Sequence, residues 1–352
     1  MIALKQKMES RLQRIANVLL LNASFTGNLG LLNGKMGIVI FFYLYSQYTK
    51  NELYEKVAGE LIDEIYIELN TNLPVDFSGG LMGIGWGIEY LIRGRFLEGD
   101  SDEVLKEIDN AVYRAALRTP LLINNDNELF GFGLYYLARL EGRKTDENNL
   151  NTIIKKQMLV YLHDDCERLL ILDKTFDSEA PFLTINQLNS ILFFIIGVQQ
   201  LQLFPVKLSK IEHYILEYVK RYGISSQSST ELKTFRLMLL KCRENTTALP
   251  FKNEYKEIAD AIRPEEVTSD DELLTRDFIK TAWYALLYNI PEIRGSDNLL
   301  LEEKVIEIID NEENWEKRLS VMSIDNLGLD GGMAGLGLAI LNGLLKSRRK
   351  EW

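Results

Sequence analysis

The 352-residue sequence is 46% hydrophobic and 26% charged, a composition that argues against disorder and supplies enough chain for one large domain or two smaller ones. Its 40 Lys and Arg stand against 51 Asp and Glu, a net charge of −11, which argues against a broad basic footprint for nucleic acid or anionic lipid and allows a cationic partner. Two cysteines, Cys166 and Cys242, make no disulfide framework and point to a reducing compartment, and the longest apolar runs stop well short of the roughly 18 to 20 residues of a membrane span.

Met1 to Arg14 alternates charged and apolar residues at helical spacing and has no apolar signal core, so a cytoplasmic, unprocessed chain is expected. Gly34-Lys-Met-Gly37 opens a segment, Met36 to Tyr45, that is apolar on nearly every side. Asn51 to Asn70 carries Leu53, Tyr54, Val57, Ala58, Leu61, Ile62, Ile65, Tyr66 and Leu69 at helical spacing opposite a run of acids, which predicts a helix with one wet face. Gly80-Leu-Met-Gly83 opens a second apolar helix, Leu81 to Ile92. Asp100 and Glu103 offer a capping box ahead of Val104 to Leu117, and Gly223 offers a C-terminal cap to a helix begun near Leu208. Ile191 to Val198 and Met333 to Leu345 read as further buried helices, the latter opened by Gly332-Met-Ala-Gly335. The seven prolines fall between segments of helical periodicity, as an all-helical chain requires.

Weaker copies of the G-x-x-G opening fall at Phe130-Gly-Phe-Gly133, Gln187 to Ser190, Glu231 to Thr234 and Phe278 to Thr281, giving seven openings spaced by about 50 residues. Buried helices alternating with amphipathic ones imply two concentric layers, an all-α, α/α toroid of about seven helical hairpins formed by residues 1–352 as a single domain. The glycines permit positive φ and close helix approach, and the helix N-termini are expected to point unpaired N–H groups into a shared mouth. The glycines have an uneven distribution: only Gly197, Gly223 and Gly295 fall between Lys144 and Leu327.

On Leu31-Leu-Asn-Gly-Lys-Met-Gly-Ile38, Phe77-Ser-Gly-Gly-Leu-Met-Gly-Ile-Gly-Trp-Gly87 and Leu329-Asp-Gly-Gly-Met-Ala-Gly-Leu-Gly-Leu-Ala339, the chain resembles the lanthionine synthetase C-like family of peptide cyclases. The resemblance implies a seven-hairpin toroid in which zinc, held by two Cys and one His near the later openings, activates a cysteine thiol for addition to a dehydrated Ser or Thr. This sequence departs from that pattern, since the fifth and sixth openings carry neither Cys nor His. The expectation is therefore no zinc, with His163, Cys166, Cys242 and His213 read as two packed thiols and two partly exposed imidazoles rather than as ligands.

Asp126 stands four residues before the third opening, where the family carries a catalytic acid, Asp76 holds the same offset before Gly80, and Asp330 precedes Gly332. Each is a candidate general base or anchor for a cationic peptide group, set against the commoner role of Asp in turns and helix caps. Trp86, Tyr90, Tyr135 and Tyr136 suit either the core or a peptide groove. The expected function is binding of a ribosomally made peptide, with a peptide-modifying enzyme as a possible partner and the zinc chemistry lost. The alternatives are a metal-free enzyme using the mouth carboxylates, as thioether cyclase or toroid glycosidase, and a general interaction module.

Overall fold

A computed structural model describes residues 2–118, 126–141, 149–175, 183–224, 229–262, 271–287, 307, 310–320 and 326–349. Among them there is no β-strand, so the chain is all-helical as its periodicity requires. It divides into two compact units, Met1–Val104 with Val267–Trp352, and Leu105–Glu266.

The first unit holds α1 (Ile2–Asn22), α2 (Lys35–Thr49), α3 (Glu52–Glu68), α4 (Leu81–Arg93) and the short α5 (Ser101–Val104) from the first half of the chain. The helices that run Asp271–Leu287, Glu312–Ser320 and Met333–Arg349 complete it from the second half. They are α13, α14 and α15 in chain order.

Helix α2 is buried from Lys35 to Tyr43 and α4 from Leu81 to Glu89, as their largely apolar sequences require. Helix α15 packs on α13, on α1 and on α2, and α2 packs on α3 and α4. Helix α3 buries Tyr54, Ala58, Leu61 and Ile65 on one face, and the Asn51 side chain caps it by accepting from the Leu53 N–H. Leu53, Tyr66 and Ile67, by contrast, are exposed. The single stripe of Tyr54, Ala58, Leu61 and Ile65 is enough to seat the helix, so those apolar side chains fall outside it.

Helices α1 and α14 are clamped together. Trp315 of α14 is fully buried, with the guanidinium groups of Arg11 and Arg14 5.4 and 5.2 Å from its ring centre. Arg11 and Arg14 each reach Glu312 at 2.9 Å, so α14 is pinned by ions as well as by the indole.

The second unit contains α6 (Lys106–Arg118), α7 (Asp126–Leu140), α8 (Leu150–Thr175), α9 (Ile185–Gln200), α10 (Pro205–Tyr222), α11 (Ser229–Asn245) and α12 (Leu249–Ala261). Helix α7 packs on α8 and α9, α9 on α11, and α10 on α8, α9 and α12. Arg139 of α7, fully buried, holds the Asp109 carboxylate of α6 through Nε at 3.0 Å and Nη2 at 2.7 Å. The Tyr135 hydroxyl donates to the same carboxylate at 2.6 Å and Lys155 of α8 stands 3.4 Å away, so one acid ties three helices.

Some boundaries differ from expectation, each for a local reason. The helix expected over Val104 to Leu117 breaks at Leu105, because the Asp100 carboxylate accepts from the Asp102 N–H and closes the short α5 first. Pro205 and Pro250 lie in the first turns of α10 and α12 rather than between helices, where their missing N–H has no partner to lose. Gly223 does end α10, at φ 71°.

Candidate functional site

Three loops, 28–34, 74–80 and 326–332, lead into the buried helices α2, α4 and α15 of the first unit. Each folds back so that an N–H of the helix donates to a carbonyl seven residues earlier. Lys35 donates to Asn28 at 2.8 Å and Met36 to Leu29 at 3.2 Å, Leu81 to Pro74 at 2.8 Å, Ala334 to Leu327 at 3.0 Å and Gly335 to Gly328 at 3.1 Å. Part of the orphan donor set of each helix is thus satisfied from within its own loop. This corrects the expectation of free N–H groups pointing into a mouth.

The same fold explains both glycines of the motif. A Cβ on the first glycine, Gly34, Gly80 or Gly332, would meet the carbonyl oxygen six residues back, of Asn28, Pro74 or Asn326. A Cβ on the second, Gly37, Gly83 or Gly335, would meet the carbonyl oxygen of Leu31, Phe77 or Leu329, again six residues back. Gly34 and Gly80 have extended backbone, φ −145° and −111°, so space rather than a left-handed φ demands glycine at these positions. The left-handed value belongs to Gly331, at φ 71°.

The loops also join one another in matching register. The Leu32 N–H donates to the Ser78 carbonyl and the Asp330 N–H to the Leu32 carbonyl, both at 2.9 Å. All three residues stand two places before the first glycine of their loop. A Cβ on Gly37 would lie 2.8 Å from Leu329 Cγ, and one on Gly83 2.9 Å from Leu31 Cβ, so the second glycine also admits the neighbouring loop.

Two of the three candidate acids belong to this cluster. Asp76 is exposed, and its Oδ1 accepts from the Gly79 N–H at 2.7 Å, the bond of a turn residue. Asp330 is exposed and contributes its backbone to the rung with Leu32. Asp126 is the first residue of α7, in the other unit, and its side chain lies outside the described residues.

The weaker openings are built differently. Phe130 and Gly133 lie within α7 and Phe278 within α13, while Gln187 and Glu231 fall in the first turns of α9 and α11. None of the four has glycine at the first position of the motif, each helix starts ahead of its aligned opening, and α9 starts by a capping box between Thr184 and Gln187. A Cβ on Gly133 would make only an ordinary contact, 3.7 Å from Phe194 Cδ2.

One ion pair at the first opening is not apparent from the motif. Lys35, the second residue of the first opening, is buried and reaches Glu64 at 2.9 Å and Glu68 at 3.1 Å on α3. Burial pulls its ammonium pKa down, and the two carboxylates more than offset this, leaving it above the ordinary lysine value. The sequence signal is a lysine inside an otherwise apolar opening facing a helix of acids.

The two cysteines and two histidines all lie on helices of the second unit. Both thiols are fully buried, on α8 and α11, and burial pushes Cys166 up to about 12 and Cys242 well above the usual thiol value. His163 is fully buried, not partly exposed as expected, with Nδ1 3.3 Å from Asp164, whereas His213 is exposed beside Glu217. His163, Asp164 and Glu167 bring ligand atoms within 4.8 Å of one another, the one such group among the described residues. Lys207 already meets Asp164 at 2.6 Å and Lys210 meets Glu167 at 4.0 Å, so the cluster has its cations.

Trp86, Tyr135 and Tyr136 are buried, Trp86 stacked on Tyr90 at 5.4 Å and Tyr135 committed to Asp109, so these are core aromatics rather than a groove lining. Among the described residues no helix is long and apolar enough to cross a membrane. No family model matches this chain, and no curated protein matches it.

Proposed function

We propose that the chain is a lanthionine synthetase C-like protein that binds a ribosomally made peptide at its G-x-x-G loops and has lost zinc-dependent cyclase chemistry. In this reading its helices belong to an α/α toroid of about seven hairpins, with a peptide-modifying enzyme as a further partner. The observation that carries it is the repetition of one loop design: the fold-back over seven residues, the two glycines against carbonyls six residues earlier, and the rungs at equivalent positions. A repeated loop in matched register is what a ring of equivalent hairpins requires of its turns.

Asp76 is engaged as a turn acceptor, which weighs against the metal-free enzyme in which it acts as a base. Binding is tested by calorimetric titration of the full chain with synthetic versions of the ribosomal peptides encoded beside its gene, unmodified and dehydrated. Saturable binding of at least one, weakened by Asp330→Lys, supports the reading; no binding of any refutes it. Zinc analysis by mass spectrometry is a second arm, and stoichiometric zinc lost in Cys166→Ala or Cys242→Ala would overturn the loss of the metal.

A further inference from the structure

The second unit buries a carboxyl group that the loop site does not use. Glu212 of α10 is 4% exposed. Its Oε1 accepts from Gln199 Nε2 of α9 at 2.9 Å and faces the Tyr255 hydroxyl of α12 at 3.4 Å. Thr246, after α11, is its third hydrogen-bond partner, and the Cys242 thiol, bonded to Tyr255, stands beside it.

Every one of these partners is neutral. Several charged groups on the packed elements are engaged elsewhere: Asp164 and Glu167 of α8 meet Lys207 and Lys210, Glu254 of α12 meets Lys220, Lys241 of α11 meets Glu244, and Arg236 of α11 donates to the Ala259 carbonyl. On its own helix Glu212 is flanked by the buried Leu208, Ile211, Ile215 and Leu216.

Gln199 supplies an independent sign. Its amide nitrogen is given to Glu212, and its Oε1 is buried without a hydrogen-bond partner. A carboxylate has no hydrogen to offer that oxygen, whereas a carboxylic acid does. Burial also raises the Glu212 pKa, and the bonds from Thr246, Tyr255 and Gln199 offset only part of that effect.

We propose that Glu212 is carried as a neutral carboxylic acid at the junction of α9, α10, α11 and α12, and that its ionisation is a proton-controlled latch. Releasing the proton leaves a buried negative charge that meets no cation among the described residues, and loosens the second unit. The native state binds this proton more tightly than the unfolded chain. The stabilisation is therefore complete below the ordinary glutamate range and is lost as pH rises through the raised native value. Within that window the folding constant falls about tenfold per pH unit, the slope of one proton.

The test compares the full chain with Glu212→Gln, which keeps the amide pairing without a proton to lose. Urea midpoints are measured from pH 5 to pH 8, below the range in which Cys242 and Tyr255 would add their own titration, and infrared difference spectra monitor the protonated-carboxyl stretch. The expected result is a midpoint that falls with pH in the wild type and is flatter in the variant, with a wild-type-minus-variant carboxyl band that fades as pH rises through that window. If the variant does not fold, the band in the wild type and its loss on raising pH decide alone. Equal pH slopes in the two proteins, or no protonated-carboxyl band that separates wild type from variant, overturn the proposal.

Discussion

Replacing Gly335 by alanine isolates the steric argument on which the loop design rests. The added Cβ would press on the Leu329 carbonyl oxygen and lie 2.8 Å from Ile279 Cγ2, so the 326–332 loop must move. Such overpacking costs about 1–3 kcal/mol. The same movement strains the bonds from Ala334 to Leu327 and from Gly335 to Gly328, each worth about 1 kcal/mol. Against this stands the alanine-for-glycine gain in a helix, about 0.5–1 kcal/mol. The net expectation is a loss of about 1–3 kcal/mol. Gly59→Ala is the matched control, for it sits inside α3 with nothing within 4 Å of the added carbon and should gain about 0.5–1 kcal/mol. Urea titrations followed by far-ultraviolet circular dichroism read both as shifts of midpoint in opposite directions. A Gly335→Ala midpoint at or above that of the wild type would refute the claim that carbonyl contact fixes this glycine.

Gly133→Ala, within α7 and with only an ordinary contact 3.7 Å away, should behave like the control and gain about 0.5–1 kcal/mol in the same titration. Trp315→Ala removes a fully buried indole and both cation–π contacts, and should cost about 3–5 kcal/mol, read as an early loss of the first unit in hydrogen exchange. Cys166 and Cys242 should give no reaction with a thiol reagent in the native protein and full reaction in denaturant, because both are buried and both thiols are held protonated.

The strong periodic signals transferred well from sequence to structure. The apolar runs at Met36, Leu81, Ile191 and Met333 all lie in buried helices, because a segment without a polar face has no other place to go. The acid-backed stripe of α3 appears within two residues of its expected ends. Loop chemistry was legible only where glycine recurs. Gly34, Gly80 and Gly332 mark true helix starts, whereas the openings aligned at Phe130 and Phe278 fall inside helices, since an apolar pattern continues across a helix start and cannot locate it. The turn role of Asp76 was one of two readings its residue type allowed. Which N–H it meets depends on the loop closing on itself, a contact that no spacing rule encodes.

The placement of the glycines and of the buried polar groups follows from how each unit joins its helices. In the first unit the loops 326–332, 28–34 and 74–80 meet backbone to backbone, through rungs at Leu32 and carbonyls pressed against glycine. A contact of that kind has no room for a Cβ, which is why glycine recurs there at fixed offsets. Side chains tie helices in both units: Arg139 and Tyr135 on Asp109 and Gln199 and Tyr255 on Glu212 in the second, Arg11 and Arg14 on Glu312 and Lys35 on Glu64 in the first. These contacts demand no glycine but leave buried polar groups whose partners must all be kept. Glycine substitutions should therefore separate the units: adding one carbon at a motif glycine injures the first, while truncating a buried polar side chain strands its partner in either.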